Sequence, residues 1–139
     1  MNLREQLVDT ALEWQRRFGV APAITSTLSE YDAALLVGCT EAEYSEFMKD
    51  RTAVSRGSEF VFEGKRYQVK ANRPSGKTRS KVTLVGKGNN YEWDNLIWMH
   101  YTTNYQFLEA WIWGVEAYKD AFDEVMRLSP EHMRRGRPL

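Results

Sequence analysis

The sequence predicts a mixed α/β domain in which helices precede and follow a group of β-strands. Apolar residues recur every three or four positions through residues 3–18, which is typical of an amphipathic helix. Residues 58–70 hold two runs rich in Val, Phe and Tyr around Glu63-Gly64, which is typical of a β-hairpin. Residues 93–113 hold two longer aromatic and aliphatic runs. A chain of 139 residues is long enough for one compact domain, and we expect residues 1–139 to form it.

Composition and charge indicate an ordinary soluble protein. The formal net charge is zero, with 42% hydrophobic and 27% charged residues. Cys39 is the single cysteine, so the chain cannot form an internal disulfide or a cysteine zinc site, which suits a reducing cytoplasm. Charged residues interrupt the N-terminus before an apolar run forms, and no stretch is long enough to span a membrane. We therefore expect a cytoplasmic protein with no membrane partner.

The first fifty residues are predicted to form helices. Residues 3–18 make the first, and a second follows residues 25–29 and ends at Gly38. Thr40 and Glu43 have the spacing of a capping box, which predicts a third helix.

The hairpin brings together three polar side chains that are distant in sequence. If Glu63-Gly64 is a two-residue turn, Glu59 lies directly opposite Gln68. Side chains alternate between the faces of a strand, so Glu59, Gln68 and Lys70 are expected to share one face. A brief strand is also expected at residues 53–54, before the hairpin.

Basic residues dominate the stretch that begins at the hairpin turn. No acidic residue occurs from Gly64 to Tyr91. The residues expected to contact a nucleic-acid backbone are Arg66, Arg73, Lys77, Arg79 and Lys81. Pro and Gly punctuate residues 71–80, which predicts a loop, and a short strand is expected at residues 81–85. The alternative is a mobile, solvated basic loop with no ligand.

The last third of the chain is predicted to add two strands, a helix and a basic tail. Residues 93–101 and 105–113 read as antiparallel strands joined by a short loop, although a helix is an alternative for the second. Residues 114–127 predict an amphipathic helix that ends before Pro130. The tail, residues 130–139, is expected either to touch a nucleic-acid backbone or to be disordered.

Three polar residues in these strands are interpreted as structural. Asp94 and Glu109 are isolated acids, expected at a sheet edge or in a capping role. His100 has no His or Cys partner at ligand spacing and is expected to be a satisfied structural histidine.

An acid on one strand followed by Gln-x-Lys on the next resembles the PD-(D/E)XK nuclease superfamily, in the Gln-x-Lys variant of Mrr-like restriction enzymes. The resemblance implies a restriction endonuclease-like core, a central mixed sheet with a catalytic β-hairpin flanked by helices. Glu59 takes the place of the metal-binding acid, Gln68 that of the second acid and Lys70 that of the lysine. In many members a helix before the strands lends a further acid. Glu30 is the candidate here. The alternative is that Glu30 lies near the start of its helix because the helix dipole favours an acid there.

The resemblance implies a metal-dependent endonuclease that hydrolyses DNA phosphodiester bonds with Mg²⁺ or Mn²⁺. Glu59 would bind the metal, with the backbone carbonyl of Val69, Gln68 and Glu30 as further ligands. Lys70 would orient the attacking water and stabilise developing negative charge. A homodimer is plausible because cutting a duplex needs two active sites.

Two other functions stay open at this point. One is a non-catalytic nucleic-acid-binding module that retains the nuclease fold. It is favoured by Glu59, where the superfamily usually has Asp, and by the uncharged Gln68. The other is a protein-interaction domain that uses exposed tryptophans.

Overall fold

The computed structural model of the protein describes residues 1–51 and 59–139. Within them it contains five helices and a five-stranded mixed sheet. The helices are α1 (Leu3–Phe18), α2 (Thr25–Leu36), α3 (Glu41–Asp50), α4 (Val115–Phe122) and α5 (Pro130–Met133). The strands are β1 (Phe60–Phe62), β2 (Lys65–Asn72), β3 (Asn95–Tyr101), β4 (Phe107–Gly114) and β5 (Arg137–Pro138). The predicted mixed α/β class is confirmed, while the strand expected at residues 53–54 lies outside the described residues.

The sheet follows the chain in the order β1-β2-β3-β4-β5. Neighbouring strands pair antiparallel except β2 and β3, which are parallel. The connection that makes this parallel pairing, residues 73–94, contains no helix or strand. It crosses one face of the sheet as an extended loop, and we call it the crossover loop.

Local sequence signals fix the starts of the first and third helices. Asn2 caps α1 by accepting a hydrogen bond from the amide of Glu5 at 2.8 Å. At the start of α3 the predicted capping box forms, because Thr40 and Glu43 accept each other's amide at 3.0 and 3.1 Å. Each cap satisfies amides that a helix leaves unpaired at its N-terminus.

The two faces of the sheet bury separate cores. On one face, α2 and α3 cover a core that includes Phe60, Tyr67, Val69, Ile97 and Met99. On the other face, the crossover loop, α4 and α5 cover a tryptophan-rich core with members Val85, Trp93, Leu96, Trp98, Trp113, Tyr118 and Phe122. Successive residues of β3 therefore point to opposite cores, as the period of a strand requires.

The C-terminal region differs from the sequence prediction. The expected strand at residues 81–85 is reduced to a single bridge between Val85 and Leu128. The last long helix ends at Phe122 rather than near residue 127, and Pro130 begins α5 instead of ending a helix. Proline is well suited to this position because the first turn of a helix needs no amide donor there.

The tail, expected to be a nucleic-acid arm or disordered, is part of the fold. Met133 is completely buried, and Arg137 pairs with Ile112 as β5 extends the sheet. Gly136 permits this because the segment passes directly over Trp113: a Cβ there would lie 2.5 Å from the indole nitrogen. Among the residues that the structure describes, no helix is long and apolar enough to cross a membrane.

Candidate functional site

The hairpin forms with the register predicted from its turn. Phe62 pairs with Lys65 and Phe60 with Tyr67. Glu63 and Gly64 both have positive φ, at 50° and 76°, which is the backbone geometry of tight hairpin turns. The strand that carries Gln68 and Lys70 is thereby fixed beside the residues that follow the start of β1.

Glu59 departs from the simple alternation at the start of β1. Its amide donates to the carbonyl of Tyr67 at 2.7 Å, although Tyr67 is already the register partner of Phe60. Two residues opposite one is the arrangement of a β-bulge, which turns a side chain from its expected direction. The Glu59 carboxylate lies between two groups: it accepts from Gln68 Nε2 at 3.4 Å, and it also approaches Glu30 of α2.

Glu30 is a buried carboxylate, only 9% exposed. The Tyr44 hydroxyl and Arg51 Nη1 each donate to its Oε1 at 3.0 Å. Burial raises the pKa of Glu30, and the neighbouring Glu59 carboxylate adds to the rise, while Tyr44 and Arg51 act against it. Two acids from distant parts of the chain therefore share one partly dehydrated site.

Arg51 links both acids and was not anticipated from the sequence. Its guanidinium lies 3.8 Å from Glu59 Oε2 and donates to the Glu59 carbonyl at 2.9 Å, in addition to its bond with Glu30. Arg51 follows α3 directly, and no local pattern marks an arginine at the end of a helix as a partner of two acids. Only the packing of α3 beside β1 brings it there.

The backbone of β2 presents the Val69 carbonyl toward the same edge. The Arg66 carbonyl accepts from the amide of Asp94, on the side of β3, whereas the Tyr67 carbonyl accepts from Glu59, on the side of β1. Carbonyl directions alternate along a strand, so Val69 repeats the direction of Tyr67. Its carbonyl oxygen is thus directed to the edge where Glu59 lies.

Lys70 lies two residues beyond Gln68 on the face of the tryptophan-rich core. In the parallel register it is beside Trp98. Its alkyl chain runs beneath the crossover loop, where a Cβ on Gly86 would be 3.5 Å from Lys70 Cδ. Two residues of strand correspond to about 7 Å, so Lys70 is close to Gln68 along β2. It lies on the face of the sheet opposite α2, which carries Glu30, so the structure does not bring Lys70 into the group formed by Glu30, Glu59 and Gln68.

Of the five residues predicted to contact a nucleic-acid backbone, three are exposed on the crossover loop, and two, Arg66 and Arg73, contact other parts of the protein. Lys77, Arg79 and Lys81 are exposed on the crossover loop. Arg66 is half exposed and lies 3.5 Å from the Asp94 carboxylate, which also accepts from the Arg66 amide. That amide and the arginine hold the pKa of Asp94 below its usual value.

Arg73 is committed to contacts inside the protein. Its guanidinium donates to the Thr103 carbonyl and to Gln15 Oε1, and it stacks 4.2 Å from the centre of the Tyr105 ring. These contacts tie the start of the crossover loop to α1 and to the β3–β4 turn.

The placement of possible metal ligands and the comparisons with known proteins both bear on the identity of this site. In the part of the chain that the structure describes, no group of three or more His, Cys, Asp or Glu side chains is placed to hold a metal ion. Comparisons with family models and with curated proteins gave no match to the chain.

Proposed function

We propose that the protein is a metal-dependent endonuclease that hydrolyses DNA phosphodiester bonds with a restriction endonuclease-like core. The observation that supports this most directly is the meeting of Glu30 and Glu59 beside Gln68, on the strand that also carries Lys70. Two carboxylates brought together at a partly buried place repel one another, and such pairs are typical of sites that bind a cation or share a proton.

The donor set fits magnesium or manganese. Glu30, Glu59, the Gln68 amide oxygen and the Val69 carbonyl are all hard oxygen donors, and Mg²⁺ in proteins needs only one or two carboxylates. A bound ion would supply Lewis-acid stabilisation of the phosphate and a more acidic water. The two carboxylates of the cluster, Glu30 and Glu59, are therefore enough acids for a Mg²⁺ site without a third.

The side chains of the site have separate tasks under this proposal. Gln68 holds the Glu59 carboxylate in place through its amide hydrogen bond. Lys70 stabilises the negative charge that develops on the phosphate, and its alkyl chain is kept in position by the crossover loop. Arg51 neutralises the two acids when no cation is bound. Lys77 and Arg79 attract the DNA backbone.

Magnesium-dependent nicking of supercoiled plasmid tests the proposal. Lys70→Ala and Glu59→Ala should each reduce the rate by about 100-fold or more, because each removes a charge from the reacting centre. Binding of DNA in EDTA should change little. Lys65→Ala is the matched control, an exposed lysine on the same strand, and should cut normally. Equal activity of Lys70→Ala and Lys65→Ala would contradict the assigned role.

Cutting both strands of a duplex calls for two active sites, so we expect two copies of the chain to act together. Sedimentation of the protein with a short duplex should then show two chains on one DNA. A single chain on the duplex that still makes double-strand breaks would contradict this expectation.

A non-catalytic nucleic-acid-binding module is the second candidate, and Arg51 is the observation that favours it. An arginine that already neutralises both acids lowers the affinity of the site for a cation. For such a module, the wild-type protein shifts DNA in a gel but leaves plasmid intact with Mg²⁺, Mn²⁺ or EDTA.

A further inference from the structure

A second polar cluster occupies the tryptophan-rich face, away from Glu30 and Glu59. His100 Nδ1 lies 2.9 Å from Glu109 Oε2 across the β3–β4 pair. Arg134 donates to both Glu109 oxygens at 2.8 and 2.7 Å, and Trp111 Nε1 donates to Oε1 at 2.8 Å. Glu109 is therefore the centre of a four-residue network rather than the isolated acid expected from the sequence.

The network fixes which nitrogen of His100 is left for a ligand. The Arg134 guanidinium, with His100 and Trp111, lowers the pKa of Glu109 to about 2, so this carboxylate is ionised at neutral pH. An ionised carboxylate only accepts hydrogen bonds, so the Nδ1 of His100 carries a proton and donates. Nε2 is the nitrogen that remains available, and stacking on Trp98, with ring centres 5.1 Å apart, holds the ring plane.

His100 lines a surface pocket with a volume of about 490 Å³. The crossover loop forms one wall through Ser80, Lys81 and Thr83, and α5 with Arg134, the residue directly after it, forms the other. Lys81 is exposed, and the described residues give it no ion pair. The pocket thus offers a lysine, the hydroxyls of its serines and threonine, and an oriented imidazole, which is a donor set for an anion. Its one carboxylate, Glu131, is paired with Arg134.

The pocket lies close to Lys70 in the sheet. Asn72 is two residues beyond Lys70, about 7 Å along the strand, and His100 is the register partner of Asn72 on the next strand, about 4.8 Å away. These spacings put His100 about 8 Å from Lys70. Phosphates of one DNA strand follow each other about every 3.4 Å along the helix axis, so a neighbouring phosphate is within reach.

We propose that the pocket between the crossover loop and α5 binds a backbone phosphate of the nucleic acid, one or two nucleotides from the phosphate that Lys70 contacts. This inference rests on the proposed function. His100 donates to the phosphate through Nε2 as an imidazolium, Lys81 supplies the balancing charge, and Glu109 is a positioning residue that orients the ring.

The charges around His100 are balanced before the phosphate arrives. The charged groups that face it are Lys81 from the crossover loop, Glu109 from β4, Glu131 from α5 and Arg134 directly after α5. Asn72 of β2 is neutral and is bonded to the Trp98 indole and to the Leu84 carbonyl. Because Arg134 is shared between two acids, Lys81 and a protonated His100 are left to match the charge of a phosphate diester.

The two histidines of the chain allow a direct test by NMR. Ring nitrogen signals are followed while a short DNA duplex is added in EDTA, and in a second titration while inorganic phosphate is added. The His100 Nε2 signal should shift as the duplex is added, because this nitrogen then donates to the phosphate. His132, whose Nδ1 accepts from the Ser129 amide, is the internal reference and should stay unchanged. Bound duplex with an unchanged His100 signal would overturn the proposal.

Kinetics separates the pocket from the cutting site. Lys81→Ala and His100→Gln should each raise the KM for DNA cleavage about tenfold, the loss of one charge-assisted hydrogen bond, with kcat within about twofold. Lys81→Arg should restore binding, and Lys119→Ala, an exposed lysine outside the pocket, should have no effect. Lys81 is a surface residue, so its variant tests binding even if His100→Gln unfolds.

Failure of this inference is distinguishable from failure of the nuclease proposal. If Glu59→Ala abolishes cutting while Lys81→Ala leaves KM unchanged, the pocket assignment alone is wrong. If no cutting occurs but the duplex still moves the His100 signal, the phosphate pocket stands and the nuclease proposal falls.

Discussion

Arg51 shows how one side chain decides the state of the site. It bonds Glu30 directly and lies within ion-pair distance of Glu59, so it competes with any cation for the same two carboxylates. Removing its charge should free those oxygens and raise the pKa of Glu30 further.

We therefore expect Arg51→Gln to bind Mg²⁺ about tenfold more tightly than the wild type, equivalent to about 1.4 kcal/mol. The same variant should be less stable in EDTA, because two acids then face each other without a cation. Calorimetric titration with Mg²⁺ and urea unfolding measure the two effects. Arg127→Gln, at an exposed arginine, is the control, and weaker Mg²⁺ binding by Arg51→Gln would contradict competition.

Glu109 gives the protein a defined dependence on acid. Its pKa falls from 4.5 in the unfolded chain to about 2 in the folded one, mainly through Arg134. A lowered folded pKa contributes stability that is fully present above pH 4.5 and is lost as the pH falls toward 2.

Protonation of Glu109 should therefore decrease the free energy of unfolding by about 2–3 kcal/mol when the pH is lowered from 6 to 2.5. Glu109→Gln should lose a similar amount at pH 6 and show a flatter pH profile. Urea unfolding at several pH values provides the measurement. Parallel pH profiles of the free energy of unfolding for the wild type and the variant would show that Glu109 is not responsible for the loss of stability in acid.

At the scale of elements, the hairpin separates what a turn determines from what packing determines. The Glu63-Gly64 turn fixes the register of Phe60 with Tyr67, and this could be counted from the sequence. The bulge-like position of Glu59 could not, because the second residue opposite Tyr67 depends on how the chain enters the strand. Glu59 reaches Glu30 as a result, which strict alternation does not predict.

The C-terminal segment offers a test of close packing. Gly136 lies against the buried Trp113 ring, and a Cβ there would be 2.5–2.9 Å from three ring atoms. Gly136→Ala should therefore destabilise the protein by about 1–3 kcal/mol, because a rigid indole in a filled core cannot move aside.

Gly114→Ala is the matched control, since its Cβ would meet only Asn95 Oδ1 at 3.9 Å. Thermal unfolding of the two variants beside the wild type gives the comparison. Equal melting temperatures for the two variants would mean that the tail does not pack on Trp113 in solution.

At the scale of the whole molecule, the basic residues of the crossover loop have different tasks. Arg73 joins the loop to α1 and to the β3–β4 turn, whereas Lys77 and Arg79 are exposed. Arg73→Ala should cost about 2 kcal/mol of stability through lost charge-assisted hydrogen bonds.

Lys77→Ala with Arg79→Asn should leave stability unchanged and weaken DNA binding. Asn is chosen because Arg79 has a φ of 64°, which Asn tolerates. Each lost phosphate contact should reduce the slope of log affinity against log salt by about 0.9. Gel shifts at several salt concentrations measure this slope, and an unchanged slope would show that these side chains do not touch the backbone.

The helices were predictable because their signals are local. Thr40 and Glu43 mark the start of α3 within four residues of sequence. The parallel pairing of β2 with β3 was not predictable, because nothing in the sequence of either strand indicates which strand it pairs with. The tail was also missed: its basic residues suggest solvent exposure, but Met133 is buried and Arg134 is neutralised by Glu109, a partner 25 residues away.

The candidate site divides in the same way. Glu59, Gln68 and Lys70 could be grouped from the register of one hairpin. The remaining partners, Tyr44 and Arg51, come from helix α3 and the residue after it, so only the tertiary arrangement brings them in. Residues contributed by separate elements leave no spacing in the sequence that would identify them.

The crossover loop is fastened at its two ends and open in its middle. Arg73 secures its beginning through the Thr103 carbonyl, while its later part is held by the bond of Asn72 to the Leu84 carbonyl and by the bond of the Gly88 amide to the Tyr118 hydroxyl. Residues 77–79 between these anchors are exposed. Insertions, deletions or changes of charge in that middle portion should therefore leave the sheet undisturbed. Ligand specificity can change there during evolution while the fold is kept.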